Sequence, residues 1–174
     1  MKKLLNLFYR LPLGWLFLGA CVTAFCFRAA WSRWGTRPWF RAVCILTLAF
    51  WIYVLAQLTL LNKPLGCETR FHLVPLHFLW EMLTTHNNEL FRTMFMNAIL
   101  FFPAGLLVSA LLPRSWPRRR AVSAVCLLFL GTSAAIECCQ FILQIGLAEV
   151  DDLLFNGLGA YLGTLVIWPK LPRK

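Results

Sequence analysis

Five long apolar runs organise the chain: Leu11 to Phe27, Ala42 to Leu61, Thr93 to Leu112, Ala121 to Leu143 with Glu137 inside it, and Leu153 to Trp168. The middle three reach the ~20 residues that cross a hydrocarbon core, and the outer two lie near the short limit of ~17. The pattern predicts an all-α fold, a polytopic membrane helical bundle of about five transmembrane helices. Between the second and third runs, Leu76, Leu79, Trp80 and Leu83 recur at helical spacing, which predicts a short interfacial helix in the outer loop, started by Pro75. Asn87 or Asn88 is placed to cap the third span, Glu89 falls in its first turn, and Pro103 predicts a kink within it. No internal repeat is visible, so an inverted-repeat transporter architecture has no support.

Composition strengthens the membrane reading. The chain of 174 residues is 60% hydrophobic and 14% charged, with eight Trp and fifteen Phe that a soluble domain of this size could not cover. Six of the seven cysteines, Cys21, Cys26, Cys44, Cys126, Cys138 and Cys139, lie inside apolar runs and only Cys67 lies outside them, which excludes a disulfide framework.

Charge adds an orientation. Lys and Arg outnumber Asp and Glu by 17 to 7, but they stand in short clusters between apolar runs, so membrane orientation explains them and nucleic acid does not. Arg28, Arg33, Arg37, Arg41, Arg114, Arg118, Arg119, Arg120, Lys170, Arg173 and Lys174 fall on one side, eleven against six on the other. The positive-inside rule then predicts a cytoplasmic C-terminus, with Trp31, Trp34, Trp39, Trp116 and Trp168 as an aromatic belt at the inner interface. The chain divides into an N-terminal helix with a basic loop (1–39), a main membrane domain (40–169) and a basic tail (170–174). Leu18-Gly19-Ala20-Cys21 after the basic stretch Met1 to Arg10 loosely resembles the end of a signal peptide, but Gly at its second position is atypical. A retained helix is expected.

The polar residues inside the runs collect at the outer end. Ser133, Glu137, Gln140 and Gln144 share one helical face, Asn97 and Asn156 open the third and fifth spans, and Asp151 and Asp152 sit on the short loop before the fifth. Asn97, Ser133, Glu137, Gln140, Asp151, Asp152 and Asn156 are therefore expected to share one outward-opening, ligand-binding pocket. A carboxylate in a span costs about 2.5 to 3.5 kcal/mol at the bilayer centre, which makes Glu137 a functional candidate. The plainer alternative is an interhelical hydrogen bond from a protonated Glu137 to Asn97 or Asn156. Gly159 and Gly163 form a G-x-x-x-G pair and, with Gly105, predict close helix packing. His72, His77 and His86 match no zinc spacing, and Glu137, Asp151 and Asp152 are weak evidence for a Ca²⁺ or Mg²⁺ site, so neither metal nor cofactor is expected.

Three blocks also occur in a recognisable order: Asn97-Ala-Ile-Leu-Phe101-Phe102-Pro103-Ala-Gly105, then Ser133-Ala-Ala-Ile-Glu137-Cys-Cys-Gln140, then Asp151-Asp152-Leu-Leu-Phe-Asn156-Gly-Leu-Gly159-Ala-Tyr-Leu-Gly163. Together they resemble the VanZ-like family of bacterial membrane proteins, over about Ala42 to Trp168, and His72-Leu-Val-Pro75-Leu76 is similar to the family's segment before its surface helix. Two departures stand out: the family often places an Arg shortly before the acidic pair, where this chain has Gln144-Ile-Gly-Leu-Ala, and Glu149 replaces the usual Asp. The resemblance implies a bacterial inner-membrane protein of the cell envelope, of a family named for low-level antibiotic resistance to the glycopeptide teicoplanin and having no established reaction.

Three functions compete. The first is a non-enzymatic envelope protein whose outward pocket binds an amphiphile, such as a lipid-tailed glycopeptide or a lipid-linked wall precursor. The second is a membrane enzyme with Glu137 as general base and Asp152 as general acid or metal ligand, against which stands the lack of any Ser-His or Cys-His pairing at a recognisable spacing. The third is a small proton-coupled transporter, which five spans would support only as an oligomer. Membrane lipids are expected partners and nucleic acid is not.

Overall fold

The computed structural model describes residues 13–61, 71–72, 74–86, 88–146 and 148–168. The basic stretch Met1 to Arg10, Cys67, Asn87 and the tail from Lys170 lie outside the described residues. Among the described residues six α-helices follow one another: α1 (Leu13–Trp34), α2 (Pro38–Ala56), α3 (His77–Thr85), α4 (Asn88–Leu111), α5 (Arg118–Ile142) and α6 (Val150–Ile167). All but α3 are long and apolar enough to cross a membrane, counting α2 with the wider π turn Gln57–Leu61 that continues it. Two short extended pieces, β1 (Phe71–His72) and β2 (Ala148–Glu149), pair in parallel just before α3 and α6. Nothing in the side-chain pattern foretold that bridge, which gives interfacial backbone groups partners that lipid cannot supply.

The helices reach further than the apolar runs. α1 continues to Trp34 and α2 starts at Pro38, so Arg28, Arg33 and Arg41 belong to helices and not to a loop between them. Pro38 suits the first helical position because that residue's N–H has no intrahelical acceptor in any case. α3 starts at His77 and not at Pro75, because Leu76 takes a left-handed conformation (φ 61°). Leu76 is thus the residue before the helix. Trp80 and Leu83 are 70% and 58% exposed, as suits a helix resting on lipid.

The centre of the molecule is the α4–α6 pair. Both helices run from the acidic end of the bundle to the basic end, and they touch backbone to backbone. A Cβ on Gly159 would collide with the Ala98 carbonyl, and one on Gly163 with that of Phe102; Gly105 meets Ala160 in the same way. Such approach replaces side-chain packing with van der Waals contact between main chains, the route to association where lipid provides no hydrophobic drive. Ser109 Oγ donates to Thr164 Oγ1 at 3.0 Å across the same seam, and both residues are fully buried.

On one side of that pair α2 and α5 close over a cluster containing Leu55, Phe101, Val125 and Phe129, where the Phe101 and Phe129 rings meet edge-on. Trp51 Nε1 fixes α2 to α4 through the Leu100 carbonyl at 2.9 Å. On the other side α1 is attached lightly, with Leu16 its one buried residue. Of the described cysteines Cys44 is buried and Cys126 half-buried, whereas Cys21, Cys26, Cys138 and Cys139 stand on the outward surfaces of their helices, which in a membrane face lipid.

Candidate functional site

The polar residues singled out from the sequence do assemble at one end, and all lie within a few turns of the helix ends there. Glu137 is five residues from the end of α5, roughly 8 Å at 1.5 Å per residue, and Asn156 is six residues into α6, roughly 9 Å. Ser133, Glu137, Gln140, Asp151 and Asn156 are buried, with Asp151 2% exposed. Asn97 and Asp152 are half-buried.

Each of them ties one element to another. Asn97 Nδ2 donates to Asp152 Oδ1 at 2.5 Å, joining α4 to α6. Asn156 Nδ2 donates to Ser133 Oγ at 2.8 Å, joining α6 to α5. Glu137 Oε2 accepts the Glu149 N–H at 3.1 Å, so α5 holds β2. Gln140 Nε2 donates to the Thr59 carbonyl at 2.9 Å, so α5 also holds the π turn of α2. Glu137 therefore meets the backbone of Glu149, and neither of the partners expected from the sequence, Asn97 or Asn156, is bonded to it in these contacts. Gln144, the fourth member of the polar face, lies beyond the end of α5 with φ 53°.

Asp151 has the most particular role. Its Oδ2 accepts the Phe78 N–H at 2.8 Å and its Oδ1 accepts the Leu76 N–H, so the carboxylate of α6 caps the N-terminus of α3. Capping carboxylates ordinarily come from within a residue or so of the helix they close. Here the cap comes from the neighbouring span, and it holds Leu76 in a left-handed conformation that costs an L residue about 1 to 2 kcal/mol.

The chemistry on offer is that of acceptors. Beyond the carboxylates, Gln140 Oε1 and Asn156 Oδ1 are buried with no hydrogen-bond partner among the described residues. Such oxygens accept hydrogen bonds from N–H and O–H groups. Among the described residues no three of His, Cys, Asp and Glu converge as a metal site would require.

The sequence model of the VanZ/LLP1 family matches residues 40–171, that is 132 of the 174 positions. The chain belongs to the VanZ/LLP1 family. No curated protein and no solved structure matches it. The matched region takes in α2 from Phe40 onward, α3 to α6 and every polar tie just described, and leaves out α1.

Two further features of this VanZ-like chain left no signal in the sequence. One is the π turn at Gln57–Leu61, where Thr59 also bonds its hydroxyl to the Leu55 carbonyl at 2.9 Å; a change from α to π pitch leaves no mark on hydrophobic periodicity over five residues. The other is an apolar groove of about 460 Å³ on the opposite flank of the α4–α6 pair, walled by α1, α4 and α6 and roofed by Leu79 and Met82 of α3. None of the polar site residues lines it. This groove is separate from the polar cluster.

Proposed function

We propose that this chain is a VanZ-like protein of the bacterial cell envelope that takes up the tail of an amphiphile, such as a lipid-tailed glycopeptide or a lipid-linked wall precursor, and so contributes to low-level teicoplanin resistance. The observation that carries the reading is the apolar groove beneath α3. Its 460 Å³ falls within the ~300–1,000 Å³ of pockets that hold small-molecule ligands, room enough for a length of alkyl chain. Phe17, Phe95, Leu158 and Leu162 give it rigid walls, while Met82 and Met94 adapt to an irregular guest.

A tail entering from lipid exchanges one apolar surrounding for another, so selectivity falls to shape and to the polar end of the ligand. That end would lie near α3, which carries His77 and Glu81 3.9 Å apart and is fastened by Asp151. In this reading the polar cluster sets the position of the roof, and the groove holds the tail. The carboxylates proposed as acid and base in an enzymatic reading, Glu137 and Asp152, each accept a hydrogen bond that joins two elements, which favours a positioning role for them.

Filling the groove tests the proposal. Ala20 and Ala24 line it from α1, the most lightly packed of the five spans, so Ala20→Phe with Ala24→Phe should leave folded yield intact. In a sensitised bacterial host the parent should raise teicoplanin tolerance, the filled variant should not, and neither should alter susceptibility to the same glycopeptide stripped of its acyl tail. Full protection by the filled variant would refute the reading, as would a parent that gives none.

A further inference from the structure

The end of the bundle opposite the polar cluster carries Arg28, Arg33, Arg37, Arg41, Arg114, Arg118, Arg119 and Arg120, and among the described residues no acidic side chain lies there: Glu81, Glu89, Glu137, Glu149, Asp151 and Asp152 are all at the other end. Several of these arginines serve the helix termini. Arg28 Nη1 donates to the Val166 and Ile167 carbonyls at the end of α6, and Arg118 Nε donates to the Trp168 carbonyl at 2.7 Å. Carbonyls left open at a helix end are natural partners for cations.

Arg41 and Arg114 differ, because they share a cavity. Between the α1–α2 turn and the end of α4 lies a space of about 270 Å³ lined by Gly35, Thr36, Arg41, Ala110, Leu112 and Arg114. Arg41 Nη2 donates to the Leu111 carbonyl at 3.2 Å, and Arg114 Nη2 donates to the Trp31 carbonyl at 2.8 Å while its guanidinium stacks 4.2 Å over the Trp31 ring. Each guanidinium has five N–H donors in a planar fork, so these contacts orient it and leave other donors for a ligand. Gly35 makes the arrangement possible: a Cβ there would collide with the Arg114 guanidinium and with the Trp31 carbonyl. Two cations lining one cavity repel. An anion between them removes the repulsion.

We propose that this cavity binds the phosphate of an anionic phospholipid headgroup. Phosphate is the group that two guanidiniums and the Thr36 hydroxyl suit, since its oxygens accept several hydrogen bonds at once. The source is lipid and not free phosphate because the cavity sits where the spans end, among Trp31, Trp34 and Trp39, which mark headgroup level. Trp34 and Trp39 are exposed beside it, 5.8 Å apart, and offer their rings to the adjoining acyl chains. Charge, cavity and aromatic flank thus converge on one ligand class. This site is independent of the tail groove and stands whether or not that reading holds.

The test uses the full chain purified from membranes holding equal amounts of phosphatidylglycerol and phosphatidylcholine, with retained lipid counted by mass spectrometry. The parent should retain phosphatidylglycerol roughly thirtyfold over phosphatidylcholine, in line with what a pair of basic residues contributes at a membrane surface. Arg41→Gln with Arg114→Gln should lose most of that preference, while Arg119→Gln, an exposed arginine outside the cavity, should keep it. Excess inorganic phosphate should displace little of the bound lipid; full displacement would mean a free-anion site and overturn the lipid assignment. Equal losses in both variants, or no preference in the parent, would leave only diffuse surface charge and overturn the site. Should the double variant fail to fold, a photoreactive phosphatidylglycerol on the unaltered protein decides: adducts concentrated at 35–41 and 112–114 support the site, and adducts spread evenly over 118–120 as well refute it.

Discussion

The Asp151 carboxylate accepts the N–H of Phe78 at 2.8 Å, from a helix 73 residues further along the chain. With the Leu76 N–H on its other oxygen, this one side chain caps a surface helix that has no capping side chain of its own. The position of α3, and with it the roof of the apolar groove, is thereby set by α6. This buried acid, a ligand-binding candidate in the sequence, fastens one element to another.

Cutting that fastening should loosen α3 locally. Asp151→Ala removes both acceptors from two N–H groups, and loss of a cap costs about 1 to 2 kcal/mol. Hydrogen exchange at the Leu76 and Phe78 amides should then speed up by roughly tenfold, the equivalent of about 1.4 kcal/mol, while exchange in α4 and α6 stays as it was. Unchanged protection at those two amides would show that something else holds the helix.

Glycines at the α4–α6 seam and glycines facing outward should respond in opposite ways. Gly163→Leu must push Phe102 and its helix away, a small-to-large change at a tight contact that costs about 1 to 3 kcal/mol. Gly131 lies inside α5 with open space where a Cβ would stand, so Gly131→Ala should raise stability by about 0.5 to 1 kcal/mol through helix propensity alone. Melting in detergent compares the two directly, and equal effects would deny the seam its special closeness.

Conservative changes in the polar cluster separate shape from charge. Glu137→Gln keeps an oxygen for the Glu149 N–H, and Asp152→Asn keeps one for Asn97, so both variants should reach the membrane in parental amounts. If carboxylate charge serves function, teicoplanin tolerance should fall sharply in a host where the parent confers it. Full tolerance in both would reduce these residues to scaffolding.

Orientation is open to chemical labelling. With native cysteines replaced, a reporter at Thr85 on α3 should react with an impermeant reagent from outside the cell and one at Arg119 should not, because arginines gather at the α5 start and acids at the α3 end. External labelling at Arg119 would invert the topology.

What the sequence determined by itself is what repeats along it. Apolar runs of near-membrane length gave five spans, because lipid demands a hydrocarbon-length apolar segment whose backbone bonds close internally. The Ser133, Glu137, Gln140 spacing placed three polar residues on one face of α5, and connectivity alone brought Asn97, Asp151, Asp152 and Asn156 to the same end, since alternating spans must share their ends. Gly105, Gly159 and Gly163 could be named as small residues fit for close packing without knowing their neighbours. Tertiary structure decided who meets whom. That Asp151 caps α3, that Glu137 reaches the Glu149 amide and that Asn97 chooses Asp152 depends on the rotation of α4, α5 and α6 about their axes to within a fraction of a turn, which hydrophobic pattern leaves undetermined in lipid because every outward face is equally well solvated. The groove beside α1 and the cavity between Arg41 and Arg114 belong to the same category, being spaces between elements far apart in the chain. Periodicity reports which side of a helix is polar; only packing reports what that side touches.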